Sequence, residues 1–127
     1  MIYGGYIYDQ VTRFSGPSRD LNDKNRISYE EYPKDNFPVY AGGPLYFLSR
    51  DIALDIFVTR KHIYSEKENP LFKFEDVYLG YLISRLSGVN YIHIQNLLPI
   101  GVPEGVEYNG AISVMGVKDA RRIRNFI

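Results

Sequence analysis

The sequence predicts a single α/β domain with a mixed sheet and about three helices. Three observations carry that expectation. Runs rich in Ile, Val and Tyr alternate along the chain with segments of helical periodicity. A length of 127 residues leaves room for one core. A hydrophobic share of 45% beside 24% charged residues is the balance of a folded chain, not of a disordered one.

The elements follow in order. Residues 2–8 (IYGGYIY) read as a strand interrupted by Gly4-Gly5. Residues 9–25 turn polar, with Gly16-Pro17 and Asn22-Asp23, and read as a surface loop. Residues 26–32 (RISYEEY) alternate well enough for a short strand, and the prolines of residues 33–38 then forbid regular structure. Residues 39–48 are apolar around Gly42-Gly43-Pro44, so backbone passes close to something there. Ser49 is placed to cap a helix over residues 50–61, with Ile52, Ile56 and Phe57 at core spacing. A polar loop, residues 62–69, ends at Pro70.

A second helix is expected from Glu75 or Asp76 to Leu86, closed by Gly88 and carrying Val77, Leu79, Leu82, Ile83 and Leu86 on its apolar positions. Residues 90–94 (NYIHI) form a short strand, residues 99–110 a stretch punctuated by Pro and Gly, and residues 111–115 another strand. Residues 118–126 read as a terminal helix with Arg121, Arg122 and Arg124 near one face.

Composition removes several function classes. Fifteen Lys plus Arg balance fifteen Asp plus Glu, so the basic excess of a nucleic-acid binder is missing. With no cysteine there are no disulfides, thiolate zinc sites or cysteine nucleophiles. No run approaches the roughly 18 apolar residues of a membrane span, so this segment is expected to be soluble and to make no membrane contact. The marked skew is aromatic: 12 Tyr and 7 Phe without Trp. Tyrosine combines an apolar face with a polar tip, which suits a cleft for polar ligands such as sugars, and equally a half-buried sheet. His62 is expected to be exposed, and His93 to be a hydrogen-bonded structural residue rather than a metal ligand.

Two motifs stand about thirty residues apart: Phe37-Pro38-Val39-Tyr40-Ala41-Gly42-Gly43-Pro44-Leu45-Tyr46 followed by Leu48-Ser49-Arg50-Asp51, and then Glu75-Asp76-Val77-Tyr78-Leu79-Gly80. Upstream lie Pro17-x-Arg19, Lys24 and Tyr32-Pro33. In this order the set resembles the β-1,3-galactosyltransferase family, inverting transferases that use nucleotide sugars. The resemblance implies the C-terminal, acceptor-side part of a GT-A-like fold, with the N-terminal nucleotide-binding part absent from residues 1–127.

Inverting sugar transfer needs a carboxylate to take a proton from the attacking hydroxyl. By resemblance Asp76 is that base, and Glu75 orients it or the acceptor; on residue type alone, the pair also suits a helix N-terminus. The resemblance brings Gly42 and Gly43 close to sugar or acceptor and has Tyr40, Tyr46 and Tyr78 lining the cleft. A bulge with two core tyrosines accounts for the first segment as well. Arg19 and Lys24 would meet donor phosphates, or form a solvated face.

The parent is expected to transfer galactose or N-acetylglucosamine from a UDP-sugar to a glycan acceptor in a β-1,3 linkage. It is further expected to use a divalent cation, manganese in this family, and to work on the lumenal side of the Golgi membrane. The departures shape this expectation. No D-x-D occurs, Ala41 stands where the family carries Cys, and Met115 stands where it carries His. The isolated chain is therefore expected to hold no metal and to be inactive. A non-catalytic carbohydrate-binding or interaction module on the same scaffold is the competing expectation, and a homo-oligomer would hide the surface left by the missing half.

Overall fold

The computed structural model describes residues 1–63, 73–101 and 113–115. Along the chain run β1 (Ile2–Tyr8), β2 (Tyr40–Leu48), α1 (Arg50–Ile63), α2 (Glu75–Ile83), β3 (Asn90–His93), β4 (Leu97–Gly101) and β5 (Ser113–Met115). Among the described residues, β1 is the centre of a three-stranded sheet of order β2-β1-β3. It runs antiparallel to β2, from Tyr3 opposite Leu48 to Tyr8 opposite Tyr40. It runs parallel to β3, from Ile2 opposite Asn90 to Gly5 opposite His93. β4 and β5 form a separate parallel pair. The architecture is the α/β arrangement expected from the alternating segments.

Alternation along β1 sends Tyr3 and Ile7 into the core. There they pack with Ala41 of β2, Ile52 of α1 and Ile83 of α2. A second cluster joins Ile27, Tyr32 and Phe37 of the long β1–β2 connection to Tyr40 of β2 and Val77 of α2. Both clusters therefore include α2, and it is the helix on which the sheet and the connection converge.

The β1–β2 connection is ordered by side chains that serve backbone groups. The Asp9 carboxylate accepts the N–H groups of Val11, Thr12 and Arg13 at 2.8–3.0 Å, and these bonds hold it well below the usual carboxylate range. Residues 26–32 are not a strand. Ser28 N–H donates to Glu31 Oε2 at 2.7 Å, Glu31 N–H returns a bond to Ser28 Oγ at 3.2 Å, and Tyr32 N–H reaches Ser28 O at 3.0 Å. That reciprocal Ser-x-x-Glu exchange is a capping box closing a single turn, and it outcompetes the weak alternation.

Other boundaries shift for local reasons. Gly4-Gly5 does not interrupt β1; instead the ladder changes register between Gly5 and Tyr6. Ser49 precedes α1, but its hydroxyl accepts the Ile2 N–H at 2.8 Å and donates to Asp51, so it ties the helix start to β1. Within α1, Ile52 is buried and Ile56 packs beside it, whereas Phe57 lies outside the core. One residue is a 100° step around a helix, and that step carries Phe57 off the Ile52–Ile56 stripe.

α2 stops at Ile83, three residues short of the expected Leu86. Ser84 Oγ bonds back to Tyr81 O at 2.7 Å, and the N–H groups of Arg85 and Leu86 turn to carbonyls three residues back. Gly88 then leaves the segment with φ 74°. β4 lies across the Pro-punctuated stretch, and β5 matches the expected last strand in its final three residues. α1 runs on through residues 62 and 63, the first two of the expected loop over residues 62–69; the rest of that loop and the terminal helix over residues 118–126 lie outside the described residues.

His93 extends the sheet past the last β1–β3 pair. Its Nδ1 accepts the Ile7 N–H at 3.0 Å, as a strand carbonyl would, and its Nε2 pairs with Gln95 Oε1 at 2.9 Å. This is the structural role expected of it.

Candidate active site

β2 carries an irregularity with a purpose. Gly5 faces Tyr46 and the next residue, Tyr6, faces Gly42, so Gly43, Pro44 and Leu45 are extra residues on the β2 side of the ladder. The bulge frees the Gly43 N–H from strand pairing and turns it to the start of α2. There it donates to Asp76 Oδ2 at 2.9 Å. The other Asp76 oxygen, Oδ1, accepts the Val77 N–H at 2.8 Å. Phe74, at the N-cap, has no side-chain acceptor, so Asp76 itself serves the first turn.

Glu75 is held from the same strand. The Tyr46 hydroxyl, just past the bulge, donates to Glu75 Oε2 at 3.0 Å. Burial, and then the Glu75 carboxylate beside it, push Tyr46 up to about 12, so the phenol stays protonated and remains a donor. Tyr3 lies beneath, its ring edge-on to Tyr46 at 6.2 Å and its hydroxyl accepting the buried Ala41 N–H at 2.9 Å. Tyr3 and Tyr40 are raised further, chiefly by burial, and the Asp76 charge adds to the effect on both. A ring of neutral tyrosines thus backs the two carboxylates.

The close approach of α2 to β2 has a specific cause. At Gly80 a Cβ would stand 2.3 Å from Tyr40 Cβ and 2.7 Å from Val39 O. Only a residue without a side chain lets the helix lie this near the strand, and that spacing sets the carboxylates against the bulge. Gly43 is different: its Cβ would meet Asp76 Oδ2 and Glu75 Oε1, each at an ordinary 3.6 Å. What approaches the Gly43 backbone is therefore the acidic pair of α2.

Of the residues singled out in the sequence, Glu75, Asp76, Gly43 and Tyr46 come together at this one place. Gly42 is buried opposite Tyr6. Tyr40 is buried too, stacked on Tyr8 at 4.9 Å with its hydroxyl 2.7 Å from Ser15 Oγ. Tyr78 is half-buried on α2, its ring stacked on Tyr81 at 6.3 Å.

Arg19 lies in the β1–β2 connection. Its guanidinium donates to the carbonyls of Ile27, Tyr32 and Lys34 at 2.7–2.9 Å and covers the Tyr29 ring. Lys24 is exposed, and its carbonyl accepts a bond from Lys73, two residues before α2. Gly80 and Tyr3 were not singled out in advance, and a bulge only as the alternative account of the Gly42-Gly43 segment. A glycine inside an otherwise apolar helix was the available signal for Gly80.

A hard divalent cation takes about six oxygen ligands, several from carboxylates. Glu75 and Asp76 already accept N–H and O–H bonds, and no group of three or more His, Asp or Glu side chains suited to a metal lies among the described residues. This donor set does not fit a metal site. It fits a carboxylate fixed by main-chain donors at a helix N-terminus, able to accept a proton from a hydroxyl.

The Galactosyltransferase family model matches residues 3–95. A beta-1,3-galactosyltransferase of Arabidopsis thaliana is 39% identical over 122 residues, covering 96% of this chain and 17% of that protein. The human UDP-GalNAc:beta-1,3-N-acetylgalactosaminyltransferase 1 is 42% identical over 76 residues, 60% of this chain and 20% of the relative. A Drosophila melanogaster beta-1,3-galactosyltransferase is 28% identical over 93 residues, 73% of this chain and 25% of the relative. The chain belongs to the galactosyltransferase family. It spans a quarter or less of the length of these relatives. Among the described residues, no helix is long and apolar enough to cross a membrane.

Proposed function

We propose that residues 1–127 are the acceptor-side part of an inverting hexosyltransferase and that Asp76 is its general base. The transfer runs from a UDP-sugar to a glycan hydroxyl and makes a β-1,3 linkage. UDP-galactose and UDP-N-acetylglucosamine are the expected donors, and the human relative's name adds UDP-N-acetylgalactosamine. The observation that carries the reading is the grip on Asp76: Gly43 N–H on one oxygen, Val77 N–H on the other, at the N-terminus of α2. These donors fix the plane of the carboxylate, while each oxygen keeps a lone pair for a proton.

In the transfer step the acceptor oxygen attacks the anomeric carbon and Asp76 takes its proton. The bond from that carbon to the phosphate oxygen breaks, and the electron pair leaves with the nucleoside diphosphate. Attack from the face opposite the leaving group inverts the centre. Tyr46 and Tyr78 offer aromatic surface for the acceptor sugar. This reading leaves the diphosphate, and the divalent cation that neutralises it, to parts of the protein outside the described residues. It also sets the whole protein on the lumenal side of the Golgi membrane.

The test is Asp76→Asn in the full-length protein that carries this chain. Turnover should fall at least about a hundredfold, the lower end of what a positioned base contributes. Donor affinity should hardly change. Turnover within a factor of about three of wild type removes Asp76 from the role.

A further inference from the structure

Asp76 and Glu75 are neighbours, and a single backbone donor stands between them. A Cβ on Gly43 would lie 3.6 Å from Asp76 Oδ2 and 3.6 Å from Glu75 Oε1, so both carboxylates stand beside this residue. Only Asp76 takes its N–H, at 2.9 Å. Charge does not explain the choice, because both groups are carboxylates one residue apart. Nor is Glu75 remote: its side chain is the longer one, and its Oε1 would touch a Gly43 Cβ as closely as Asp76 Oδ2 would. What holds Glu75 elsewhere is the Tyr46 hydroxyl, which donates to its other oxygen at 3.0 Å.

Tyr46 is well placed for this. Its backbone is pinned opposite Gly5 at the first pair beyond the bulge, and its ring packs edge-on against buried Tyr3. Burial keeps it a protonated donor. A residue fixed by the strand, whose single polar atom ends on Glu75, acts as a peg.

We propose that Tyr46 is a positioning residue which, by anchoring Glu75, reserves the Gly43 N–H for Asp76 and so decides which of two adjacent carboxylates is held as the base. The proposal rests on the reading of Asp76 as that base. Without the hydroxyl, Glu75 competes for Gly43, and Asp76 loses the donor that fixes Oδ2.

The experiment is a mutant cycle in the full-length protein. Tyr46→Phe should lower kcat about tenfold with little change in donor KM, the size expected for one lost orienting hydrogen bond. In a Glu75→Ala background, where no competitor remains, Tyr46→Phe should lower kcat by clearly less than it does beside Glu75. A Tyr46→Phe effect of equal size in both backgrounds overturns the proposal, because the hydroxyl then acts without Glu75. So does an unchanged kcat in the single variant.

A second readout separates this outcome from the identity of the base. In protein labelled with 15N-glycine, the Gly43 amide proton should shift in Tyr46→Phe and return to its original position in Tyr46→Phe/Glu75→Ala. An unmoved Gly43 resonance in Tyr46→Phe overturns the selection whatever Asp76 does. A shift that reverses as expected, beside an active Asp76→Asn, supports the selection and removes only the base reading.

Discussion

α1 and α2 are read from the sequence by the same periodicity, yet they meet the rest of the molecule in opposite ways. α2 is pressed onto the sheet through Val77, Gly80 and Ile83, all buried. α1 inserts Ile52 and rests Ile56 beside it, but exposes Leu54, Phe57 and Val58 by 49%, 58% and 67%. The first helix docks by side chains and the second by backbone. At Gly80 the helix main chain comes so near Tyr40 that no side chain fits between them. That contact fixes where α2 begins, and the beginning of α2 is where Glu75 and Asp76 stand. The contrast teaches that a helix can be amphipathic enough to fold without being placed accurately enough to present a group for chemistry. Accuracy here comes from a missing side chain.

The sharpest way to break the comparison is to put a side chain back. Gly80→Ala adds about 1 kcal/mol of helix propensity. Against that gain stands a clash with strand backbone and Tyr40 Cβ at 2.3–2.9 Å, atoms that cannot swing aside. Overpacking against backbone that cannot swing aside costs up to about 3 kcal/mol, so a net destabilisation of about 1–2 kcal/mol is expected in denaturant unfolding. Gly43→Ala is the control, because its added methyl meets only ordinary 3.6 Å contacts and should cost less than about 0.5 kcal/mol. Equal costs for the two glycines would show that the close approach at Gly80 does not set the position of α2.

The second test uses alkali and separates the helices by their partners. α2 is joined to β2 through the Tyr46–Glu75 bond, while α1 contains no tyrosine. Burial and the Glu75 carboxylate push Tyr46 up to about 12 in the folded protein, above the usual phenol near 10, so the fold prefers the neutral form. The stability it contributes is present in full below pH 10 and is lost as pH rises through 12. Buried Tyr3 and Tyr40, also raised, act with the same sign. Hydrogen exchange in α2 should accelerate over this window beyond the intrinsic base-catalysed rate and ahead of α1. Tyr46→Phe should narrow the gap between the two helices. Uniform acceleration in both would show that the docking of α2 does not depend on its tyrosines.

Much of this was legible in the residues, and what was not has identifiable causes. The central strand, the two helices and the pairing of Glu75 with Asp76 follow from periodicity and from motif order. The short run over residues 26–32 was misread because its alternation is weak, while Ser28 and Glu31 carry a capping box that acts within four residues. Phe57 was misplaced because periodicity tells which residues share a stripe, not how wide the stripe must be when a helix rests on one buried Ile. Gly42-Gly43-Pro44 announced an irregular strand, but the destination of the freed Gly43 N–H is a residue 33 positions on. A single sequence does not spell such a meeting. Arg19 is a second such meeting: the resemblance set it against a phosphate, residue type alone on a solvated face, and the fold has its guanidinium donate to three carbonyls of its own loop.

The smallest expected effect tests the other half of the comparison. Leu54, Phe57 and Val58 sit three and four residues apart, so they share one side of α1, and all three are exposed. A ring that remains 58% exposed after folding has little burial to lose when it is removed. Phe57→Ser should therefore change unfolding stability by less than about 0.5 kcal/mol, the ordinary range for a surface substitution. It should also reduce binding of a hydrophobic dye by the folded protein, since it removes a large part of a contiguous apolar ridge. A loss above about 1.5 kcal/mol would mean that this side of α1 is covered as firmly as that of α2, and the distinction between the two helices would fall.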